Sequence, residues 1–160
     1  MLFNSTRDQV GEVERFELYE AYITDGHVRR LTSNGGTNTY ASYSPDGRHI
    51  VFRRIVDGNS EVFVMNADGS HQVNLSRNSA FDGWPSWTPD GRRIVFASNR
   101  GVSDAVFEIF VMNAHGADVR QLTHLQARST APALSPDGRT VLFTRSGGGY
   151  ADMFSIAMPD

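Results

Sequence analysis

The chain has 160 residues, the length of one domain, with 39% hydrophobic and 21% charged residues, ordinary for a globular protein. A net charge of −3 and arginines scattered along strand-like segments exclude the basic run of a nucleic-acid partner. The lack of cysteine excludes disulfides, thiolate nucleophiles and Cys-ligated zinc. No apolar stretch approaches the roughly 20 residues of a membrane span, so no membrane insertion is expected. MLFNSTRDQVGEVE, at the N-terminus, is not a secretory signal as written.

In chain order, the first unit (1–32) opens with Leu2–Arg7, which matches Val95–Arg100 further on. It continues through the carboxylates Glu12, Glu14, Glu17 and Glu20, read as a solvated surface or as a face for a basic partner, and ends at Arg30-Leu31-Thr32. The second unit (33–76) contains SPDGRHIVF at 44–52, EVFVMNADG at 61–69 and Asn74-Leu75-Ser76. The third (77–123) repeats these as TPDGRRIVF, EIFVMNAHG and Gln121-Leu122-Thr123, and the fourth (124–160) opens the series again with SPDGRTVLF at 135–143. Gly47 and Gly91 lie 44 residues apart, Gly91 and Gly138 47, the period of a four-stranded repeat.

The third unit sets the strand plan: Trp84–Trp87, Arg92–Ser98, Phe107–Asn113, and a short strand near Val119–Leu122. Ile94-Val95-Phe96 and Val62-Phe63-Val64-Met65 are apolar on both faces, as expected of sheets stacked between like sheets. Each Pro-Asp-Gly is turn chemistry. Proline presets φ, aspartate bonds nearby backbone and glycine takes positive φ. Asn-Ala-Asp-Gly and Asn-Ala-His-Gly serve the hairpins between third and fourth strands.

WPSWTPDGRRIVFASNR followed by EIFVMNAHGADVRQLT resembles the TolB-type (WD-like) β-propeller repeat, and the resemblance spans the chain. It implies an all-β propeller of four-stranded antiparallel blades around a channel. Counted in strands, the chain runs second-third-fourth, two full units, then first-second-third: fourteen strands, about three and a half blades. This points to a partial propeller or a ring completed by association, with self-association through open sheet edges. The resemblance also implies a periplasmic protein working by protein–protein contact. The same repeat occurs in prolyl-oligopeptidase-type peptidases and oligogalacturonate lyases, so fold alone does not give function.

No catalytic residue, cofactor or metal site is expected. Ser44, Thr88 and Ser135 occupy equivalent turns and cannot all be nucleophiles. Asp46, Asp90 and Asp137 repeat at blade spacing and are read as turn residues. His27, His49, His71, His115 and His124 show no metal-ligand spacing. Gly147-Gly148-Gly149 is a hairpin and not a phosphate loop. Recognition is expected where the units differ: the hairpins at 8–15, 55–60, 99–106 and 146–151, and the connectors at 33–39, 77–83 and 124–130. Phe81, Asp82 and Trp84, with Tyr40 and Arg128 at matching points of other blades, are the candidate binding face at a channel mouth. The alternative is that Trp84 and Tyr40 only pack between blades. The expected function is a non-catalytic scaffold for a protein or peptide partner. The propeller portion of an enzyme and a carbohydrate-binding propeller stay open.

Overall fold

A computed structural model describes residues 1–8 and 15–159. Glu12 and Glu14 lie outside the described residues. Among the described residues, fourteen strands form four antiparallel sheets. The first sheet holds β1 (Leu2–Ser5), β2 (Glu17–Ala21) and β3 (Val28–Arg30). The second holds β4 (Thr37–Tyr43), β5 (His49–Val56), β6 (Asn59–Asn66) and β7 (Val73–Asn74). The third holds β8 (Asp82–Trp87), β9 (Arg93–Ser98), β10 (Glu108–Asn113) and β11 (Arg120–Gln121), and the fourth β12 (Arg128–Leu134), β13 (Thr140–Gly147) and β14 (Tyr150–Ala157). The strands follow one another in order within each sheet, and the incomplete sheets are the outer two, as the repeat predicts. Among the described residues no helix is long and apolar enough to cross a membrane.

The sheets stack through three cores. Leu18 and Leu31 of the first meet Ile50, Phe52 and Met65 of the second. Val51, Val62 and Leu75 of the second meet Ile94, Phe96, Phe110 and Met112 of the third. Val95, Ile109 and Val111 of the third meet Val141 and Phe143 of the fourth. Alternate residues of one strand thus feed two different cores, and most of these side chains are under 2% exposed. This double burial is why strands such as Ile50–Phe52 read as unbroken apolar runs. The first strands β4, β8 and β12 lie beside one another, whereas β7 and β11 touch only their own sheets among these element pairs. Sheets converging at their first strands and diverging at their last are propeller blades.

The Pro-Asp-Gly turns are three copies of one hydrogen-bonded unit. The Gly47, Gly91 and Gly138 N–H groups donate to the carbonyls of Ser44, Thr88 and Ser135 at 2.8–2.9 Å. The hydroxyls of those residues donate to Asp46, Asp90 and Asp137 at 2.5–2.6 Å. They also accept the N–H of His49, Arg93 and Thr140 at 3.0 Å. The hydroxyl bond and the backbone N–H two residues on hold all three carboxyls below the usual aspartate range.

Glu17 departs from the surface reading of its acidic stretch. It is 6% exposed and opens β2. Its carboxylate accepts from the Thr32 hydroxyl and from Asn38 Nδ2, the latter at 2.9 Å, and pairs with Arg30 at 3.3 Å. Glu20 is part-buried, bonded by the Tyr43 hydroxyl and by Arg29 at 2.8 Å. The Tyr43 bond chiefly pulls the Glu20 carboxyl down, while burial and the same bond push Tyr43 up to about 12. A short sequence window reads Glu17 and Glu20 as wet because their partners lie further along the chain, beyond their own strand.

Candidate functional site at the rim of the inner strands

Each inner strand carries a bulge at the same place. The ladder shifts between Thr39 and Ser42, between Gly83 and Ser86, and between Thr130 and Ala133. At the three bulges Tyr40, Trp84 and Ala131 adopt φ of 54°, 51° and 52°. None is glycine, and the left-handed region costs an ordinary residue about 1–2 kcal/mol. Repeated at equivalent points, this geometry turns one side chain per blade out of the strand's alternation.

Four rings gather there from three connected pieces of chain. Tyr40 and Trp84 lie 5.6 Å apart between centroids, and Trp84 and Phe81 5.7 Å. Phe107 meets Phe81 and Trp84 edge-on at 5.4 and 5.7 Å. Phe81 is fixed by reciprocal bonds with Asn99: its N–H donates to Asn99 Oδ1 at 2.7 Å, and the Asn99 N–H donates to its carbonyl at 3.2 Å. Phe107 is 5% exposed and anchors the cluster, whereas Tyr40 remains 46% exposed. Arg128 is exposed, with its guanidinium 5.5 Å from the Phe107 centroid. The Ser129 N–H donates to the Phe107 carbonyl at 2.8 Å, tying the two segments together.

Tyr40, Phe81, Trp84 and Arg128 therefore surround one cluster. Asp82 does not share its surface. It is fully buried, and its Oδ2 accepts from Arg100 Nη2 at 2.7 Å. Its Oδ1 has no hydrogen-bond partner among the described residues. Burial pushes the Asp82 carboxyl up, against the opposing pull of the Ser98 hydroxyl and the Arg100 charge. Register places Asn38 at the same point of the second blade, where its amide joins Glu17 of one blade to Arg54 of its own at 2.9 and 2.8 Å. Asp82 is thus a bracket between strands.

Sequence reading missed Arg53. Its guanidinium lies 4.8, 5.6 and 6.0 Å from the Tyr40, Phe81 and Trp84 centroids. The signal was available: Arg53 shares strand parity with Val51, so it faces the next blade. Among the described residues no group of three or more His, Asp or Glu side chains converges to hold a metal.

Sheets that converge on their first strands, with aromatic bulges at the rim, define a β-propeller. The model of the TolB beta propeller domain matches residues 14–109, and the chain belongs to that family. It is 39% identical over 64 residues to the uncharacterized protein Atu1656 of Agrobacterium fabrum, covering 40% of this chain and 20% of that protein. It is similar in structure to TolB from Acinetobacter baumannii, with a TM-score of 0.78 and 24% identity, covering 91% of this chain and 36% of that one. Against a TolB-like protein from Agrobacterium tumefaciens the TM-score is 0.80 at 21% identity, covering 98% and 61%. An oligogalacturonate lyase solved with manganese matches at 0.64 and 14% identity, covering 89% and 41%. These likenesses show the fold. The chain spans a fifth of the curated relative and between a third and two thirds of the three structures.

Proposed function

We propose that this chain is a non-catalytic binding scaffold that holds a protein or peptide segment on its loop face, at the mouth of the channel between the inner strands. The observation that supports it is the aromatic cluster around Tyr40 and Trp84, held on strained, equivalent bulges. Strain kept at matching points of a regular scaffold is typical of ligand sites, and Trp, Tyr and Arg are the usual anchors of protein interfaces. The Ser44, Thr88 and Ser135 hydroxyls are engaged in their turns, which gives the enzyme reading no nucleophile there.

The test is selection of a displayed random-peptide library on the immobilised chain. Enriched peptides should bind Trp84→Ala and Tyr40→Ala at least tenfold more weakly, a loss of about 1.4 kcal/mol. Circular dichroism would confirm that both variants stay folded. Failure to enrich any peptide, or affinity indifferent to both substitutions, would overturn the reading.

A further inference from the structure

Three arginines lie around the inner strands of the second and third blades, and they are not used alike. Arg54 gives Nε to Asn38 Oδ1 at 2.8 Å and a terminal nitrogen to Gln72 Oε1. Arg100 gives Nη2 to Asp82 at 2.7 Å and Nε to Ser98 Oγ at 3.1 Å. Arg53 gives Nε to Thr39 Oγ1 at 3.0 Å, and its two terminal nitrogens have no acceptor among the described residues. It is nevertheless half-buried, and that burial lowers its affinity for its proton. A guanidinium withdrawn from water without a counter-ion is costly, and ring faces offset only part of that cost.

The surroundings keep this arginine in place and reachable. A Cβ on Gly83 would lie 3.1 Å from Arg53 Cδ and 3.1 Å from Phe81 Cε1, so any larger residue there would press on the arginine stem and on that ring. Tyr40, the nearest ring, is itself 46% exposed. The Arg128 guanidinium, 5.5 Å from the Phe107 centroid, is a second cation, with no side-chain hydrogen bond to a described residue. The overall charge is −3, so any attraction to an anion is local to this rim and reaches about one Debye length.

We propose that Arg53 anchors a carboxylate carried by a peptide, seated against the Tyr40 and Trp84 rings. The two terminal nitrogens of a guanidinium match the two oxygens of a carboxylate. The adjoining rings add apolar contact that a peptide can use and a free inorganic ion cannot. This inference rests on the binding-scaffold reading and narrows it to a ligand chemistry.

The test follows the Trp84 indole N–H and the Arg53 Nε–H by NMR in the labelled chain. The probes are acetyl-Ala-Ala-Phe with a free C-terminus, the same peptide as its amide, acetyl-Ala-Glu-Phe amide, and inorganic phosphate. Saturable shifts are expected with the free acid or the glutamyl peptide, and whichever binds tells a terminal from a side-chain carboxylate. The uncharged amide should bind at least tenfold more weakly. Arg53→Gln should abolish the difference between acid and amide. Arg53→Lys keeps the charge without the fork and should retain a reduced preference; it carries the comparison if the glutamine variant does not fold. Equal binding of acid and amide overturns the carboxylate anchor but leaves the scaffold reading standing. So does an acid preference that survives Arg53→Gln, or phosphate acting as strongly as the acids. No shift from any peptide up to about 10 mM, a binding energy weaker than roughly 3 kcal/mol, counts against both.

Discussion

Gly69 and Gly116 show what a single hydrogen atom does in this fold. A Cβ on Gly69 would lie 2.7 Å from the Leu31 carbonyl oxygen, and one on Gly116 2.6 Å from that of Leu75. Each hairpin turn therefore leans on the last strand of the preceding blade, and backbone on both sides prevents adjustment. Gly26, the equivalent turn of the first blade, also has a positive φ but nothing within 4 Å. Gly69→Ala is expected to cost about 3 kcal/mol, and Gly26→Ala about 1, from its φ alone. Thermal melts should separate the two by several degrees; equal losses would mean the close approach carries no energy. Asp82 gives a prediction in pH. Its carboxyl is raised in the folded chain, so its contribution is whole below the ordinary value near 4 and is lost as pH rises through the raised value. The carboxyls of Asp46, Asp90 and Asp137 are lowered, and theirs is lost only as pH falls below that same value. Asp82→Asn should therefore flatten the decline of melting temperature above about pH 4. An unchanged slope would remove Asp82 as its source.

Between elements, the repeated bond is a glutamate clasp. In the first three blades, Glu17, Glu61 and Glu108 stand at or near the start of the third strand, and Thr32, Ser76 and Thr123 just beyond the fourth. The Thr or Ser hydroxyl donates to the carboxylate, at 2.5 Å for Thr123 and Glu108, and accepts the next residue's N–H at 2.8–3.0 Å. Glu108 is fully buried and also takes the Gln126 N–H at 2.7 Å, which steers the connector toward the next blade. Thr123→Val keeps the shape but strands a carboxylate oxygen and the Ile109 N–H. It should cost about 2–4 kcal/mol by denaturant unfolding, and a loss under about 1 would mean water replaces the hydroxyl. The sequence showed the Leu-Thr and Leu-Ser ends and the glutamates as separate repeats, without their bond. Strands and turns were legible because φ preference and alternation act over a few residues. Third-blade limits moved only slightly, the first strand starting at Asp82 ahead of its bulge at Trp84. The clasp was not legible, since its partners lie 14 or more residues apart, and of the ring cluster Tyr40, Phe81 and Trp84 were read from their matching points while Phe107 and Arg53, on other strands, were not. Arg53 and Arg54 are adjacent in sequence, and blade packing gives them different partners.

Over the whole molecule, each blade buries one face against its predecessor and offers the other to its successor. Val95 and Ile109 on the offered face of the third blade are fully buried under the fourth. At the matching points of the fourth blade, Leu142 is 38% and Met153 74% exposed, and among the described residues β14 pairs only with β13. Apolar surface beside an unpaired strand edge invites association. The 160-residue chain is expected to self-associate as its concentration rises, and Leu142→Glu with Met153→Glu should shift it toward the monomer by light scattering. Mass independent of both concentration and the substitutions would show that this face does not govern assembly.

The three left-handed bulges separate two jobs that most sheets combine. At Tyr40, Trp84 and Ala131 the backbone strain is already met by the ladder on either side, whatever side chain is attached. Change at Tyr40 and Ala131 need not disturb the cores, which draw on other residues, whereas Trp84 also packs against the core between the third and fourth blades. The blades work like identical sockets with interchangeable fittings: tyrosine, tryptophan and alanine give one rim two stacking surfaces and a gap. A new specificity would then take one substitution per blade, with the frame left as it is.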